Sequence, residues 1–566
     1  MIEQLGAASL QNLVRNAFHF HKIGNLPEAK KLYEKVIARD SHNFTALHFL
    51  GVVHYQLGSL EKSVELITHA IKANPHDASA YVNRGISLIG LHRADEALLN
   101  FRKAIQLRPD NVSAHCYYAI SLCELNRSDE ALGYFDGAIR LNSNYVDAYY
   151  NKGKALVALK KYDLALTCFD IAIELNPRHF EAHNNRGNVL KEMDKLDQAL
   201  ESYDAAIALM PGYAEAHSNR GNVLLELNRY DESIPCFDRA IALKPDYADA
   251  HFNRGLALLL HGDFQSGLPE YEWRKREKEP SRAHIFQKPQ WTGKEEIIGR
   301  RILVHDEQGL GDTIQFVRYI RLLEGRGANV LLAPQKKLQK LLSIIVDRSE
   351  IVNAEDAQLD FEFQCPLASL PLAFATVKNT IPNSVPYLKA EYNRVASWRS
   401  RLGNHGFKIG ICWQGSTAKI DKGRSFSVTS FHDLSKIEGV RLISLHKGAG
   451  EGELEHLSTG MMVENLGPDF DGGEHAFLDT AAVMSCCDLI ITSDTSIAHL
   501  SGALALPTWV ALKHVPDWRW LLGRNDSPWY PTMKLFRQKQ RGNWKDVFEE
   551  IENSLSELMQ SQKTNA

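Results

Sequence analysis

The sequence predicts a helical repeat array in the first half of the chain and an α/β region with two parallel sheets in the second half. Two observations lead to this fold class. Small residues recur with a period of 34 residues up to Gly267, and from Arg301 onward short apolar segments alternate with helical ones. The composition is that of a globular protein, because 44% of the 566 residues are hydrophobic and 24% are charged.

Charge and cysteine content restrict the classes of partner. The 65 basic and 69 acidic residues give a net charge of −4, so no electrostatic attraction to nucleic acid is expected. No segment approaches the ~20 apolar residues of a membrane span, so no integral membrane association is expected, and the first residues do not resemble a signal peptide. The eight cysteines form no CxxC pair, which predicts reduced thiols in a cytoplasmic protein.

The repeat unit combines a small residue, an aromatic residue and a closing proline. The glycine position is held by Gly51, Gly85, Gly153, Gly187, Gly221 and Gly255. Small residues let two antiparallel helices approach, an aromatic ring fills the gap between them, and proline ends the second helix. The pattern resembles the tetratricopeptide repeat, with eight motifs beginning near residues 10, 44, 78, 112, 146, 180, 214 and 248. We therefore expect a tetratricopeptide superhelix with a concave groove over residues 1–279.

An asparagine precedes the glycine position by two residues in five repeats. These residues are Asn83, Asn151, Asn185, Asn219 and Asn253. An amide both donates and accepts hydrogen bonds, so this ladder could bind the backbone of an extended protein or peptide segment. Alternatively, asparagine is simply common in such repeats. The neighbouring cations, which are Arg84, Lys152, Arg186, Arg220 and Arg254, are expected to pair with acids such as Asp95, Asp163, Asp197 and Asp231.

The second half is predicted to contain two Rossmann-like domains, at 300–395 and 396–545, after a connector at 280–299 and before a helix and tail at 546–566. The predicted strands are 302–305, 329–333, 350–353 and 360–363 in the first domain, and 408–413, 441–446, 462–466, 488–493, 507–512 and 534–537 in the second. Ligands of parallel sheets bind at the carboxyl ends of the strands, so a cleft between the two domains is the expected site.

Two segments at strand ends carry residues suited to chemistry. After the first strand, Gly309 and Gly311 allow a tight turn and close approach of a ligand, and Asp312 follows at the start of a helix. After the strand at 488–493, Asp494, Thr495 and Ser496 open a helix whose free amides favour an anion, and His499 lies one turn further.

Two further segments of the second domain complete the predicted site. A glycine-flanked loop contains Ser416, Thr417, Lys422 and Arg424, and its hydroxyl groups and cations suit a diphosphate. The aromatic segment 516–520 is expected to pack at the interface between the two domains, with stacking on a nucleotide base as the alternative.

These segments together resemble the heptosyltransferase family (glycosyltransferase family 9) over residues 300–545, most specifically in the segments 309–312 and 494–499. The whole plan is also similar to that of the O-linked N-acetylglucosamine transferases. The resemblance implies a GT-B fold, with the acceptor and the base on the first domain and the nucleotide-sugar donor on the second. It also implies an inverting, metal-independent transfer from a nucleotide-diphosphate sugar without a cofactor.

In that mechanism Asp312 is the base that deprotonates the acceptor hydroxyl. Thr495, Ser496 and the following amides hold the diphosphate, while Lys422 and Arg424 offset its charge. The leading prediction is a glycosyltransferase whose groove recruits a protein acceptor. The alternatives are a non-catalytic scaffold for protein–protein interaction, in which Asp312 and Asp494 serve as helix caps, and transfer to a lipopolysaccharide or glycolipid acceptor.

Overall fold

The computed structural model describes residues 2–276, 286–343, 349–356, 358–415, 423–472 and 476–565, with side chains from residue 10 to residue 561 of these ranges. The chain divides into two compact units, Met1–Val223 and Leu224–Ala566. The predicted fold class is confirmed: an array of sixteen helices in the described residues is followed by two parallel sheets.

The first unit consists of helices that pack in antiparallel pairs, each pair being one repeat. They are α1 (Ile2–Lys22), α2 (Leu26–Arg39), α3 (Phe44–Gln56), α4 (Leu60–Ala73), α5 (Ala78–Gly90), α6 (Ala94–Leu107), α7 (Val112–Glu124), α8 (Ser128–Leu141), α9 (Val146–Ala158), α10 (Tyr162–Leu175), α11 (Phe180–Glu192) and α12 (Leu196–Leu209). Helix α13 (Ala214–Glu226) contains the boundary between the units.

The predicted packing of aromatic rings over glycine is confirmed within the repeats. A Cβ added at Gly153 would lie 2.7 Å from Cε1 of Phe169, and one added at Gly187 would lie 2.6 Å from Cε1 of Tyr203. The rings of Phe169 and Tyr203 are fully buried. Each first helix therefore approaches its second helix closely because the glycine leaves room for the ring.

The cations beside the asparagine ladder pair differently from the prediction. Four of the five pair with acids sixteen positions earlier: Lys152 with Asp136, Arg186 with Asp170, Arg220 with Asp204 and Arg254 with Asp238, at 2.6–2.7 Å, while Arg84 donates to the side-chain oxygen of Asn100. Each acid lies on the second helix of the preceding repeat. The predicted acids lie on the second helix of the same repeat, as does Glu270, a second partner of Arg254, whereas the four pairs above join neighbouring repeats.

The second unit begins with three helices of the array, α14 (Tyr230–Leu243), α15 (Ala248–His261) and α16 (Phe264–Tyr271). The first sheet contains β1 (Arg301–His305), β2 (Asn329–Ala333), β3 (Glu350–Ile351) and β4 (Phe363–Pro366), in the order β3-β2-β1-β4 with every pair parallel. Its helices are α17 (Leu310–Phe316), α18 (Ile320–Gly325), α19 (Gln339–Leu342) and α20 (Leu370–Ala373).

The second sheet has six parallel strands in the order β10-β9-β8-β5-β6-β7. They are β5 (Phe407–Cys412), β6 (Val440–Ser444), β7 (Val463–Glu464), β8 (Leu489–Ser493), β9 (Thr508–Leu512) and β10 (Met533–Arg537). Helices α21 (Tyr392–Leu402), α22 (Leu478–Met484), α23 (Ser496–Ala503) and α24 (Lys545–Asn565) accompany this sheet. The apolar face of α24 contacts β10, and its Val547 and Ile551 belong to the same hydrophobic core as Ile409 and Ile411 of β5.

The last helices of the array share one hydrophobic core with the α/β region. Phe264 and Tyr271 of α16 are buried against Trp518, with ring centroids 5.9 and 5.8 Å apart. Behind them, the buried guanidinium of Arg274 donates two hydrogen bonds, of 2.9 and 2.8 Å, to the carboxylate of Glu307. Helix α16 is thus part of the interior of this unit as well as the end of the repeats.

Candidate functional site

The first turns of α17 and α23 meet, and each helix begins after the carboxyl end of a strand, one in each of the two parallel sheets. Helix α17 follows β1, and α23 follows β8. Gly311 makes the contact possible, because a Cβ there would lie 2.9 Å from Cδ2 of His499 and 3.4 Å from Cα of Ser496. The predicted glycine and donor segments are therefore neighbours in the structure.

Asp312 uses both carboxylate oxygens. Oδ2 accepts a hydrogen bond of 2.9 Å from the backbone N–H of Gly309, so the side chain caps the start of α17. Oδ1 accepts a hydrogen bond from the guanidinium of Arg519. Burial raises the pKa of Asp312 above that of an ordinary aspartate, while the charge of Arg519 opposes the rise.

Arg519 is the residue of this site that the sequence did not predict. Its guanidinium lies between Asp312 and Asp517, and the Asp517 carboxylate accepts hydrogen bonds of 2.8 Å from its Nη1 and 3.0 Å from its backbone N–H. The cation also lies 4.7 Å from the ring centroid of Trp518. In the sequence, the segment that carries Arg519 was noted only for its tryptophans. The pattern Asp-x-Arg within this aromatic loop could have indicated an ion pair.

Asp494 is a buried carboxylate at the end of β8. It is 5% exposed, and in the part of the chain that the structure describes its Oδ2 has no hydrogen-bond partner. Burial and the negative charge of Asp517 raise its pKa to about 6, although Arg424 and Arg519 oppose the rise. Asp494 therefore does not act as a simple helix cap: the cap of α23 is Thr495, whose Oγ1 accepts a hydrogen bond of 3.3 Å from the N–H of Ile497.

His499 is buried in α23 and held on two sides. Its Nδ1 lies 3.0 Å from the hydroxyl of Tyr530, and its ring stacks on Trp520 with centroids 5.4 Å apart. Burial and the nearby positive charge of Arg519 lower its pKa to about 3, so the ring is neutral at physiological pH. A neutral imidazole can position a ligand through one nitrogen while the other is fixed by Tyr530.

The structure places part of the predicted diphosphate loop at the same site. The positive charge of Arg424 partly offsets the rise in the pKa of Asp494. The same charge also acts to lower the pKa values of Asp312, His499 and Lys513. Ser416, Thr417 and Lys422 lie outside the described residues. Ser496 and Thr495 are half-buried at the opening of α23.

Helix α16 holds the loop that leads into α17. The hydroxyl of Tyr271 and the side-chain amide of Gln308 lie within hydrogen-bonding distance, at 2.8 and 3.0 Å for the two amide atoms. The next residue back, Glu307, is bound by Arg274. Consequently the turn containing Gly309 is fixed by the last repeat on one side and by Asp312 on the other.

The asparagine ladder forms contacts within the repeats. In three repeats the amide Nδ2 reaches a residue 35 positions earlier: Asn83 to His48 at 2.8 Å, Asn185 to Tyr150 at 3.1 Å and Asn219 to Asn184 at 3.1 Å. Asn151 donates to the carbonyl of Asp147, four residues earlier in its own helix, at 2.8 Å. Asn253 is half-buried on α15.

Comparison with known proteins supports the interpretation of the repeats. Family models described as tetratricopeptide or TPR repeats match residues 21–81, 82–146, 146–179, 168–201, 187–228 and 221–262. The helical half of the chain consists of tetratricopeptide repeats. Protein FlbA of Caulobacter vibrioides is 24% identical over 306 residues, which is 50% of this chain and 50% of that protein. The chain therefore spans about half the length of this curated relative.

Several solved structures are also similar to the chain. YrrB, described as a TPR protein with an unusual peptide-binding site, is 29% identical; the match covers 33% of this chain and 96% of that one, with a TM-score of 0.28. A tetratricopeptide repeat protein from Parabacteroides merdae is 18% identical, with coverage of 44% and 99% and a TM-score of 0.38. In the described part of the chain, none of the helices combines the length and the apolarity that a membrane crossing requires.

Proposed function

We propose that the chain is an inverting, metal-independent glycosyltransferase that transfers a sugar from a nucleotide-diphosphate sugar to a hydroxyl group of a protein bound by its repeats. The observation that carries the proposal is the meeting of α17 and α23 at Gly311. It brings a carboxylate that could act as a base beside a helix start that could hold a diphosphate. Both lie at the carboxyl ends of parallel strands, where such ligands bind.

In the proposed reaction Asp312 takes the proton of the acceptor hydroxyl while that oxygen attacks the anomeric carbon and the nucleotide diphosphate leaves. The charge of Arg519 favours the ionised form of Asp312, which a base requires, and so opposes the rise in pKa that burial causes. Thr495, Ser496 and the first amides of α23 hold the diphosphate, and Arg424 offsets the negative charge that develops on it.

The test is a panel of uridine, guanosine and adenosine diphosphate sugars, with release of the nucleotide diphosphate as the readout. Wild-type protein is expected to hydrolyse or transfer from at least one donor, and that donor should raise the melting temperature. Asp312→Asn should lower kcat by about 10²–10⁴, the usual contribution of a general base, and leave the donor dissociation constant within about threefold.

Asp526→Asn is the matched control. It removes the same charge from an exposed carboxylate that pairs with Arg524 in the same unit, so turnover should be unchanged. Near-normal transfer by Asp312→Asn would remove this residue as the base. If no donor is turned over and none changes the melting temperature, the enzyme proposal as a whole is wrong.

A second function, a non-catalytic scaffold, is favoured by one specific observation. Asp312 already caps α17 and pairs with Arg519. These structural roles would account for an aspartate at this position without any part in catalysis. Tetratricopeptide arrays are binding modules, and this function would need only the repeats. The donor panel separates the two functions, because a scaffold does not require a nucleotide-sugar site.

A further inference from the structure

The repeats contain a formed pocket between the first helices of neighbouring pairs. It has a volume of about 330 Å³, and its walls come from α7, α9, the start of α11 and the residues just before α9 and α11. This volume is at the lower end of the range for ligand pockets, which begins at about 300 Å³, so one long side chain of a partner fits it better than a large ligand does.

Three tyrosines form the aromatic part of the pocket wall. Tyr117 stacks on Phe101 with ring centroids 5.8 Å apart, and Tyr150 packs on His179 at 4.6 Å. Tyr145 completes the set. These contacts hold two of the rings in place before any partner arrives, which lowers the entropic cost of binding.

Two carboxylates stand beside the rings. Asp147 is exposed, and Glu181 lies 3.1 Å from Nδ1 of His179. Among the described residues no lysine or arginine forms an ion pair with either of them. The nearest cation–ring contact is that of Lys154, which lies 5.5 Å from the centroid of Tyr150 but is not part of the pocket wall.

Tyr117 occupies the position that asparagine holds in the neighbouring repeats. At the equivalent positions Asn83 and Asn185 form a hydrogen bond to the preceding repeat. Tyrosine at this place adds a ring to the pocket and interrupts the ladder of amides. The tyrosine therefore makes the wall of this pocket locally different from the repeats that carry asparagine at the same position.

We propose that this pocket binds a basic side chain, preferably arginine, from an extended segment of a partner protein. A guanidinium group stacks on aromatic rings and donates hydrogen bonds to carboxylates, and the pocket offers both. The inference names the chemistry of the partner for the binding role proposed above. It does not depend on sugar transfer, because no step of it involves the second unit.

The experiment measures fluorescence anisotropy of labelled 12-residue glycine–serine peptides with full-length protein and no nucleotide sugar. One peptide carries three arginines, and matched peptides carry citrulline or glutamate instead. We expect the arginine peptide to bind and its citrulline form, which keeps the shape and loses the charge, to bind about tenfold or more weakly. The glutamate peptide should not bind.

The double variant Asp147→Asn, Glu181→Gln should weaken binding of the arginine peptide by about tenfold. The matched control is Asp163→Asn with Asp197→Asn, which changes the net charge equally on the first turns of α10 and α12, outside the pocket wall. Its affinity should stay within about twofold of wild type. Circular dichroism melting checks that all variants fold.

Three results would overturn the proposal: no binding of the arginine peptide at low salt, equal binding of the citrulline peptide, or equal loss of affinity in the two double variants. None of them bears on the transferase proposal, which the donor panel tests separately. Conversely, a protein inactive on every donor can still bind the arginine peptide.

Discussion

The pKa values of two aspartates at the candidate site are shifted in opposite directions. Asp494 has an oxygen without a hydrogen-bond partner in the described structure, and burial raises its pKa to about 6. The side chain of Asp517 is 30% exposed, and the charge of Arg519 together with hydrogen bonds from its side chain and backbone outweighs desolvation and lowers the pKa of Asp517. The direct ion pair of Asp517 with Arg519 and the deeper burial of Asp494 therefore both contribute to the difference between the two pKa values.

This difference predicts how stability depends on pH. The pKa of Asp494 is raised in the folded chain from an ordinary value of 3.8, so its favourable contribution is present below that value and is lost as the pH rises through about 6. Asp494→Asn, which cannot ionise, should therefore gain stability relative to wild type between about pH 4.5 and 7. The expected gain is on the order of 3 kcal/mol.

The measurement is urea denaturation followed by tryptophan emission at several pH values. All nine tryptophans lie between residues 273 and 544, so this signal reports on the second unit alone. The control is Asp526→Asn: the hydrogen bond with Arg524 lowers the pKa of this exposed carboxyl, so its charge is present over the whole range and the stability difference from wild type should be constant. A constant difference for Asp494→Asn would contradict the prediction.

At the scale of single residues, the sequence predicted which residues belong to the candidate site better than it predicted which residues they contact. Gly311, Asp312, Asp494 and His499 could be chosen from their positions after strands, and the structure brings them together. The partner of Asp312 could not be chosen, because Arg519 is 207 positions away and depends on the fold of both sheets. No local sequence pattern shows that Arg519 contacts Asp312.

At the scale of elements, the approach of α17 to α23 depends on one missing side chain. The His499 ring that a Cβ at Gly311 would meet is held by Tyr530 and Trp520 and cannot easily move. Gly311→Ala should therefore push the helix starts apart and cost about 1–3 kcal/mol, as overpacking of a core does. The loss would appear as a lower urea midpoint of tryptophan emission.

Gly325→Ala provides the comparison for this variant. Gly325 ends α18, and a Cβ there would meet no atom within 4 Å, so its replacement should leave the midpoint unchanged or raise it slightly. Equal effects of the two alanines would show that the contact between α17 and α23 is not tight. The proposed site depends on close contact between the two helix starts, so it would then have to be abandoned.

The predicted strands show what periodicity can and cannot determine. The strand predicted at 329–333 is β2 at the same residues, since a continuous apolar segment ends at a proline there. The strand predicted at 360–363 begins only at Phe363, as β4. The carboxylate of Glu362 accepts a hydrogen bond from the backbone N–H of Arg301, and such a side-chain contact ends regular alternation without any signal in the hydrophobic pattern.

At the scale of the whole molecule, the repeats do not end where the α/β region begins. The 34-residue period suggests a modular array that could be removed, because each repeat contacts mainly its neighbours. However, Phe264, Leu268 and Tyr271 belong to the same hydrophobic core as the sheets. Arg274 adds a buried ion pair with Glu307, whose loss would leave a charge buried without a partner.

This arrangement predicts the behaviour of two fragments. The fragment 214–566 retains α13–α16 and should keep native tryptophan emission and a cooperative melting transition. The fragment 286–566 should not, because burying each large apolar side chain contributes about 1.5–3 kcal/mol and an unpaired buried Glu307 costs about 3–5 kcal/mol. Their sum is comparable with the whole stability of a domain, about 5–15 kcal/mol.

Removal of the first repeat is the control for these fragments. The fragment 44–566 lacks α1 and α2, which pack in the core of the first repeats and contribute nothing to the core around the tryptophans. Its tryptophan emission should therefore match that of the intact chain. If the fragment 286–566 melts cooperatively at the temperature of 214–566, the helices α14–α16 are an independent part of the array. The contacts of α16 with the loop before Asp312 would then contribute little to the stability of the candidate site.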